Sequence, residues 1–132
     1  MDTDSMPNQK KIIAVLNDLM FTVKIQDAAK RAGLEVVFAK SEDQAIAEAG
    51  QHPALVILDL NTKAVNALEV ISKLKNDAAT ATVPLLGYMS HVQVELKRAA
   101  EEKGCDSVMP RSAFSARLPE ILAHYRGVGG RE

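Results

Sequence analysis

Five short stretches hold the side chains of this chain that are placed to do chemistry: Leu16-Asn17-Asp18, Lys40-Ser41, Asp59-Leu60-Asn61, Met89-Ser90-His91 and Pro110-Arg111-Ser112. Each follows an apolar run, so a fold that brings the ends of those runs together brings these groups to one mouth. Asp59 is the central group. It closes Ala54–Leu58 (Ala-Leu-Val-Ile-Leu), the strongest apolar run in the chain, and sends a carboxylate to where the other loops converge. The plainer alternative for such a residue is a solvated turn former at a strand end. Other chemistries lack their residues. No glycine-rich loop follows the first apolar run, which disfavours a nucleotide-phosphate cradle. His52, His91 and His124 are widely spaced and show no metal-ligand pattern; His91 alone falls at the edge of the candidate site. Cys105 is the single cysteine, so an internal disulfide or a multi-cysteine metal site is excluded, and beside Gly104 it reads as a small buried residue.

The elements that must position these groups follow from periodicity. Ile12–Leu16 is a continuous apolar run of the kind a strand buried on both faces requires. Phe21, Ile25, Ala28, Ala29 and Ala32, at offsets 0, 4, 7, 8 and 11, share one helical face that Gly33 terminates. Val36–Ala39 repeats the strand signal, and Ser41-Glu-Asp-Gln44 has the form of a capping box opening a helix to Gly50. After Ala54–Leu58, the polar and small stretch 61–66 leads to a helix with Leu68, Ile71, Leu74 and Ala78 on one face. Val83–Tyr88 is a fourth strand with Pro84 at its start. Val92, Leu96, Ala99 and Ala100 mark a fourth helix stopped at Gly104. Asp106–Met109 is a brief fifth strand, and Pro119 fits the first turn of a last helix running to about Tyr125.

Strands alternating with helices over short connections specify an α/β fold: a single doubly wound, five-stranded parallel sheet with helices on both faces. Ligands in such folds sit outside the carboxyl ends of the strands. The 132 residues, 47% hydrophobic and 25% charged, suffice for one domain with one core. Residues 10–126 are expected to form it, with flexible tails at 1–9 and 127–132. Sixteen basic against 17 acidic residues give a net charge of −1, with no basic cluster to bind nucleic acid or an anionic membrane. No run approaches the roughly 20 apolar residues of a membrane span and the start lacks a secretory pattern, so a cytoplasmic location is expected.

The order of elements, together with Val56-Ile-Leu-Asp-Leu60, Val83-Pro-Leu-Leu86 and Gly104-Cys-Asp-Ser-Val-Met109, resembles a response-regulator receiver domain, the flavodoxin-like phosphoacceptor module of two-component signalling. The resemblance spans Lys11 to about Tyr125. It implies that Asp59 is the phosphoacceptor and that Asn61, two residues on, supplies a backbone carbonyl to a Mg²⁺ site. The other family positions depart. Leu16 and Asn17 stand where receivers carry an acidic pair, with Asp18 one position late. Met89 stands at the hydroxyl position, with Ser90 one late. Arg111 replaces the lysine, Ser112 the proline after it, and Val108 the aromatic of the fifth strand.

Mg²⁺ needs near-octahedral oxygen ligands and relies on carboxylates beside Asp59, so at most a weak site of Asp18, Asp59 and Asn61 is expected, and no cofactor is favoured. Phosphoryl transfer then loses its main electrostatic support. Arg111 is expected to pair with Asp59 instead. The resemblance thus implies a degenerate receiver, not an enzyme, acting through contacts with a protein partner such as a sensor kinase or a downstream signalling protein. The last two helices and the fifth strand would present that contact, with Leu118 and Tyr125 as anchors. With no output domain after the last helix, the expected action is in trans, unless the chain is a fragment. Two alternatives stand beside this: an active single-domain receiver phosphorylated on Asp59 by a histidine kinase, and a small-molecule-binding α/β domain using the same cleft.

Overall fold

The apolar runs form strands because each has partners on both sides. In the computed structural model, which describes residues 10–129, they are β1 (Lys11–Val15), β2 (Glu35–Phe38), β3 (Leu55–Asp59), β4 (Leu85–Met89) and β5 (Ser107–Pro110). All pair in parallel in the order β2-β1-β3-β4-β5. The order reverses between β1 and β3, where such sheets open a crevice at their carboxyl ends. The helices are α1 (Leu19–Arg31), α2 (Glu42–Ala49), α3 (Ala67–Lys75), α4 (Val94–Glu102) and α5 (Arg111–Gly129).

Strand alternation divides the interior into two cores. Ile13, Val15, Val56, Leu58 and Leu85 pack with α2, α3 and α4, while Ile12, Ala14, Ile57, Leu86 and Tyr88 pack with α1 and α5. β1 and β3 are sealed on both faces, which explains why their sequences show no polar alternation. Caps set the helix starts: Asp18, Ser41 and Asn66 each accept a hydrogen bond from a first-turn N–H. Gln44 Oε1 in turn accepts the Lys40 N–H at 2.8 Å, close to the capping box read at Ser41–Gln44.

Three expectations are corrected. The last helix begins at Arg111, not near Pro119, and Pro119 lies inside it on an exposed position. A proline inside a helix loses the bond its own N–H would make and crowds the carbonyl four residues back, and here it does so at an exposed position. The third helix stops at Lys75, because Thr80 Oγ bonds the Leu74 carbonyl at 2.7 Å and Asp77 starts a turn by accepting from the Ala79 N–H; Ala78 is exposed. Helical backbone also runs through Gly129, three residues into the expected C-terminal tail. The expected N-terminal tail and residues 130–132 lie outside the described residues.

One lock holds the amino end of β4. Lys75 Nζ donates to the carbonyls of Ala81 and Val83 and pairs with Asp106, whose Oδ2 accepts the Leu85 N–H at 2.8 Å. Gly104 sits against this lysine at φ +110, and a Cβ there would lie 2.7 Å from Lys75 Cγ.

Candidate functional site

Asp59 ends β3 half-buried, on the same face as Leu55 and Ile57 and therefore toward α1 and α5. Its Oδ1 accepts the Asn61 N–H at 2.9 Å, so the carboxylate caps its own loop as well as facing the crevice. Tyr88, its register partner on β4, faces the same way. Its ring is fully buried and stacks on Phe114 of α5 at 4.6 Å and against Phe21 of α1 at 5.4 Å. The phenol oxygen is buried with no hydrogen-bond partner among the described residues.

Asp18 enters the site by a route that strand parity does not reveal. β1 ends at Val15, Leu16 stays buried, Asn17 turns to solvent, and Asp18 becomes the N-cap of α1. Its Oδ1 accepts the Met20 N–H at 2.9 Å and the Phe21 N–H at 3.3 Å, and its Oδ2 lies 3.5 Å from Arg111 Nη1. The expected Asp59–Arg111 ion pair is therefore corrected: the guanidinium pairs with Asp18. Arg111 is the first residue of α5, level with the start of α1, and its Cζ lies 5.5 Å from the centre of the Phe21 ring. From that seat its charge still acts on Asp59.

The β3–α3 and β4–α4 loops are tied across the other side of the mouth. Asn61 Oδ1 accepts the Ser90 N–H at 2.7 Å and the Ser90 hydroxyl at 3.2 Å. Ser90 Oγ is also 3.5 Å from His91 Nδ1. Ser90 thus belongs to the rim through Asn61. Met89 is buried and brings no hydroxyl, and Val108 packs half-buried against the α2–α3–α4 core.

Burial raises the Asp59 carboxyl above its ordinary value of 3.8, further helped by Asp18, while the Asn61 N–H bond and Arg111 pull it down. Burial first, then the neighbouring carboxylates of Asp59 and Asp18, push the Tyr88 phenol far up, so it stays protonated. Few oxygens near Asp59 are left uncommitted for a metal such as Mg²⁺. Asp18 already caps a helix and pairs with Arg111, Leu16 contributes no oxygen, and among the described residues no group of three or more His, Cys, Asp or Glu is placed to hold a metal ion.

The remaining candidates fall elsewhere. His52 lies in the α2–β3 turn at φ 58, His124 on α5 against Tyr125, and only His91 reaches the site edge. Cys105 is buried, its thiol pushed up to about 11 by burial, as suits a packing residue. Leu118 is 1% exposed and belongs to the core, so it is withdrawn as a surface anchor; Tyr125 is half-buried. The aromatic stack of Phe21, Tyr88 and Phe114 is the part of the site that sequence reasoning missed. Its signal was the three rings standing at buried-face positions of α1, β4 and α5.

No family model matches the chain. Among curated proteins it is similar to the polar-differentiation response regulator DivK of Brucella ovis and of Brucella abortus, 23% identical over 119 residues, covering 89% of this chain and 97% of the relative. Among solved structures it is similar to a response regulator from Hahella chejuensis, with a TM-score of 0.77 and 20% identity over 88% of this chain and 94% of that one. The receiver domain of sensor histidine kinase PA1611 from Pseudomonas aeruginosa, solved with a magnesium ion in its active-site cleft, gives a TM-score of 0.76 at 14% identity over 89% and 98%. The fold is that of the response-regulator receiver domains, as the order of elements in the sequence implied.

Proposed function

We propose that this chain is a receiver-type signalling module that works through protein–protein contacts, with phosphorylation of Asp59 lost or weak and no metal cofactor. The observation that carries this reading is the commitment of Arg111 to Asp18 and Phe21, with Leu16 and Asn17 standing where a metal site needs carboxylates. Phosphoryl transfer to a carboxylate depends on cations positioned over the equatorial oxygens, and a guanidinium held 3.5 Å from another carboxylate is poorly placed to supply them. The response side is short of parts too: Met89 has no hydrogen bond to offer a phosphoryl group, and Val108 has no ring to move.

The partner is a protein, a sensor kinase or a downstream signalling protein, and the contact lies on α4, β5 and α5. β5 is the edge of the sheet. A cavity of about 370 Å³ opens between it and α5, with Met109, Ile121, His124 and Tyr125 among its walls. Tyr125 is the better anchor there, since Leu118 points into the core. Among the described residues no helix is long and apolar enough to cross a membrane. A cytoplasmic setting and the absence of nucleic-acid binding complete the proposal.

A second reading has its own observation. Asp59 stands at the end of β3 with its carboxylate at the crevice, where a phosphoacceptor must be. Acetyl-phosphate labelling followed by intact-mass measurement separates the two. The degenerate reading expects little or no phosphoryl adduct, whereas stoichiometric, Mg²⁺-dependent labelling lost in Asp59→Asn establishes the active receiver.

A further inference from the structure

Arg111 has a built seat. Its backbone is fixed at the first turn of α5, its Nη1 meets Asp18 Oδ2 at 3.5 Å, and its Cζ lies 5.5 Å from the Phe21 ring centre. Both walls are themselves fixed. Asp18 Oδ1 is held by two α1 N–H groups, and Phe21 is packed against Tyr88 at 5.4 Å and Phe114 at 6.1 Å. The seat is only partly exposed, with 41% of the Arg111 side chain and 35% of Asp18 in contact with solvent. A guanidinium suits it: planar, permanently charged and weakly hydrated, it stacks on a ring while pairing with a carboxylate.

We propose that Arg111 is the resident counterion of this site, positioned by Asp18 and Phe21, and that its guanidinium excludes a divalent cation from between the Asp18 and Asp59 carboxylates. The inference rests on the reading above that metal-dependent phosphorylation is lost or weak, and names its cause. The Pseudomonas receiver was solved with a magnesium ion in its active-site cleft. Here a side chain, that of Arg111, brings positive charge to bear on Asp59. Mg²⁺ sheds water reluctantly and holds its oxygens near octahedral geometry. To enter, it must displace a cation that is already paired, and it must share Asp18 with the N-cap of α1.

The test is a Mg²⁺ titration followed by amide NMR shifts, with Mn²⁺ broadening to locate the ion, on the full chain and its Arg111→Ala and Arg111→Gln variants. Glutamine keeps a planar group against Phe21 and so covers the case in which alanine unfolds the start of α5. Wild type is expected to show no localised, saturable shifts up to about 10 mM Mg²⁺. The variants should gain binding at least about tenfold tighter, centred on Asp18, Asp59 and Asn61. If folded Arg111→Gln gains nothing, the guanidinium is not what keeps the ion out, and the inference falls while the metal-free reading stands. If wild type itself binds at sub-millimolar metal, the reading beneath it falls as well. The positioning role of Asp18 has a separate readout. Asp18→Asn preserves the cap yet should cost the Arg111 Nε–H signal at least about fivefold in exchange protection, with Met20 and Phe21 amides unmoved. An unchanged Arg111 signal refutes that role.

Discussion

Replacing Tyr88 by phenylalanine should stabilise the protein, although it deletes a polar group at the candidate site. The phenol oxygen is buried and has no hydrogen-bond partner among the described residues. An unsatisfied buried hydroxyl costs about 1–3 kcal/mol, whereas the net worth of a bond it might replace in water is near 1 kcal/mol. The ring contributions survive the change, since the 4.6 Å stack on Phe114 and the 5.4 Å contact with Phe21 involve ring carbons. The competing effect is the hydroxyl dipole in the field of Asp59 and Asp18, which acts on Tyr88 without a direct bond. Such a contact beyond hydrogen-bond range is worth less than the desolvation it fails to offset. A gain of about 1 kcal/mol follows, or a rise in Tm of roughly 3–6 °C for a domain of this size. Urea unfolding should show a higher midpoint at unchanged slope. A loss of more than about 0.5 kcal/mol would refute the reasoning and show that the hydroxyl is bonded in solution, most simply to Asp59.

Asp59→Asn should stabilise the fold at neutral pH. The folded-state carboxyl is raised by burial, so its favourable contribution is full below the unfolded value near 3.8 and is lost as pH rises through the folded value. The difference between variant and wild type, followed by chemical unfolding from pH 3 to 8, should therefore grow with pH in that window; a flat difference contradicts the assignment. Asp18→Ala should cost about 1–2 kcal/mol, mostly the lost N-cap, since a half-exposed pair adds at most about 1 kcal/mol, while Asp18→Asn should cost much less. Equal losses by thermal unfolding would transfer the weight from the cap to the Arg111 pair. Asp106→Ala removes the acceptor of the Leu85 N–H and the partner of Lys75, and should cost about 1.5–3 kcal/mol, with hydrogen exchange accelerated first at Leu85; unchanged exchange there would show that the lock is dispensable.

The parts of the fold that were legible in the sequence were those where one signal dominates. β1 and β3 are continuous apolar runs because they are buried on both faces, and α1 shows offsets 0, 4, 7, 8 and 11 because one face meets the sheet. Phe114, Leu118, Ile121, Leu122 and Tyr125 repeat those same offsets straight across Pro119, and all pack against the α1–α5 core. The proline pointed to a helix start, but an apolar stripe that keeps phase through it outweighs the missing backbone bond and the crowding of the preceding turn. The same stripe also assigns Leu118 to the interior.

The site was less legible because its residues lie where strand becomes loop. Counting alternation along a strand places Asp18 one residue too late, yet the strand ends at Val15, and from there cap geometry decides. Asp18 reaches inward because an N-cap carboxylate must face the first-turn N–H groups of its own helix, and α1 starts beside α5. Arg111 follows from the same cause. Once α5 begins at that residue and not eight later, its side chain leaves the helix at the mouth, level with the α1 cap, and the nearer carboxylate with a free oxygen is Asp18. The correction of the helix boundary and the correction of the ion pair are thus one correction. It changes the meaning of Asp59, whose counterion is held by another residue and whose carboxylate keeps the penalty of its burial.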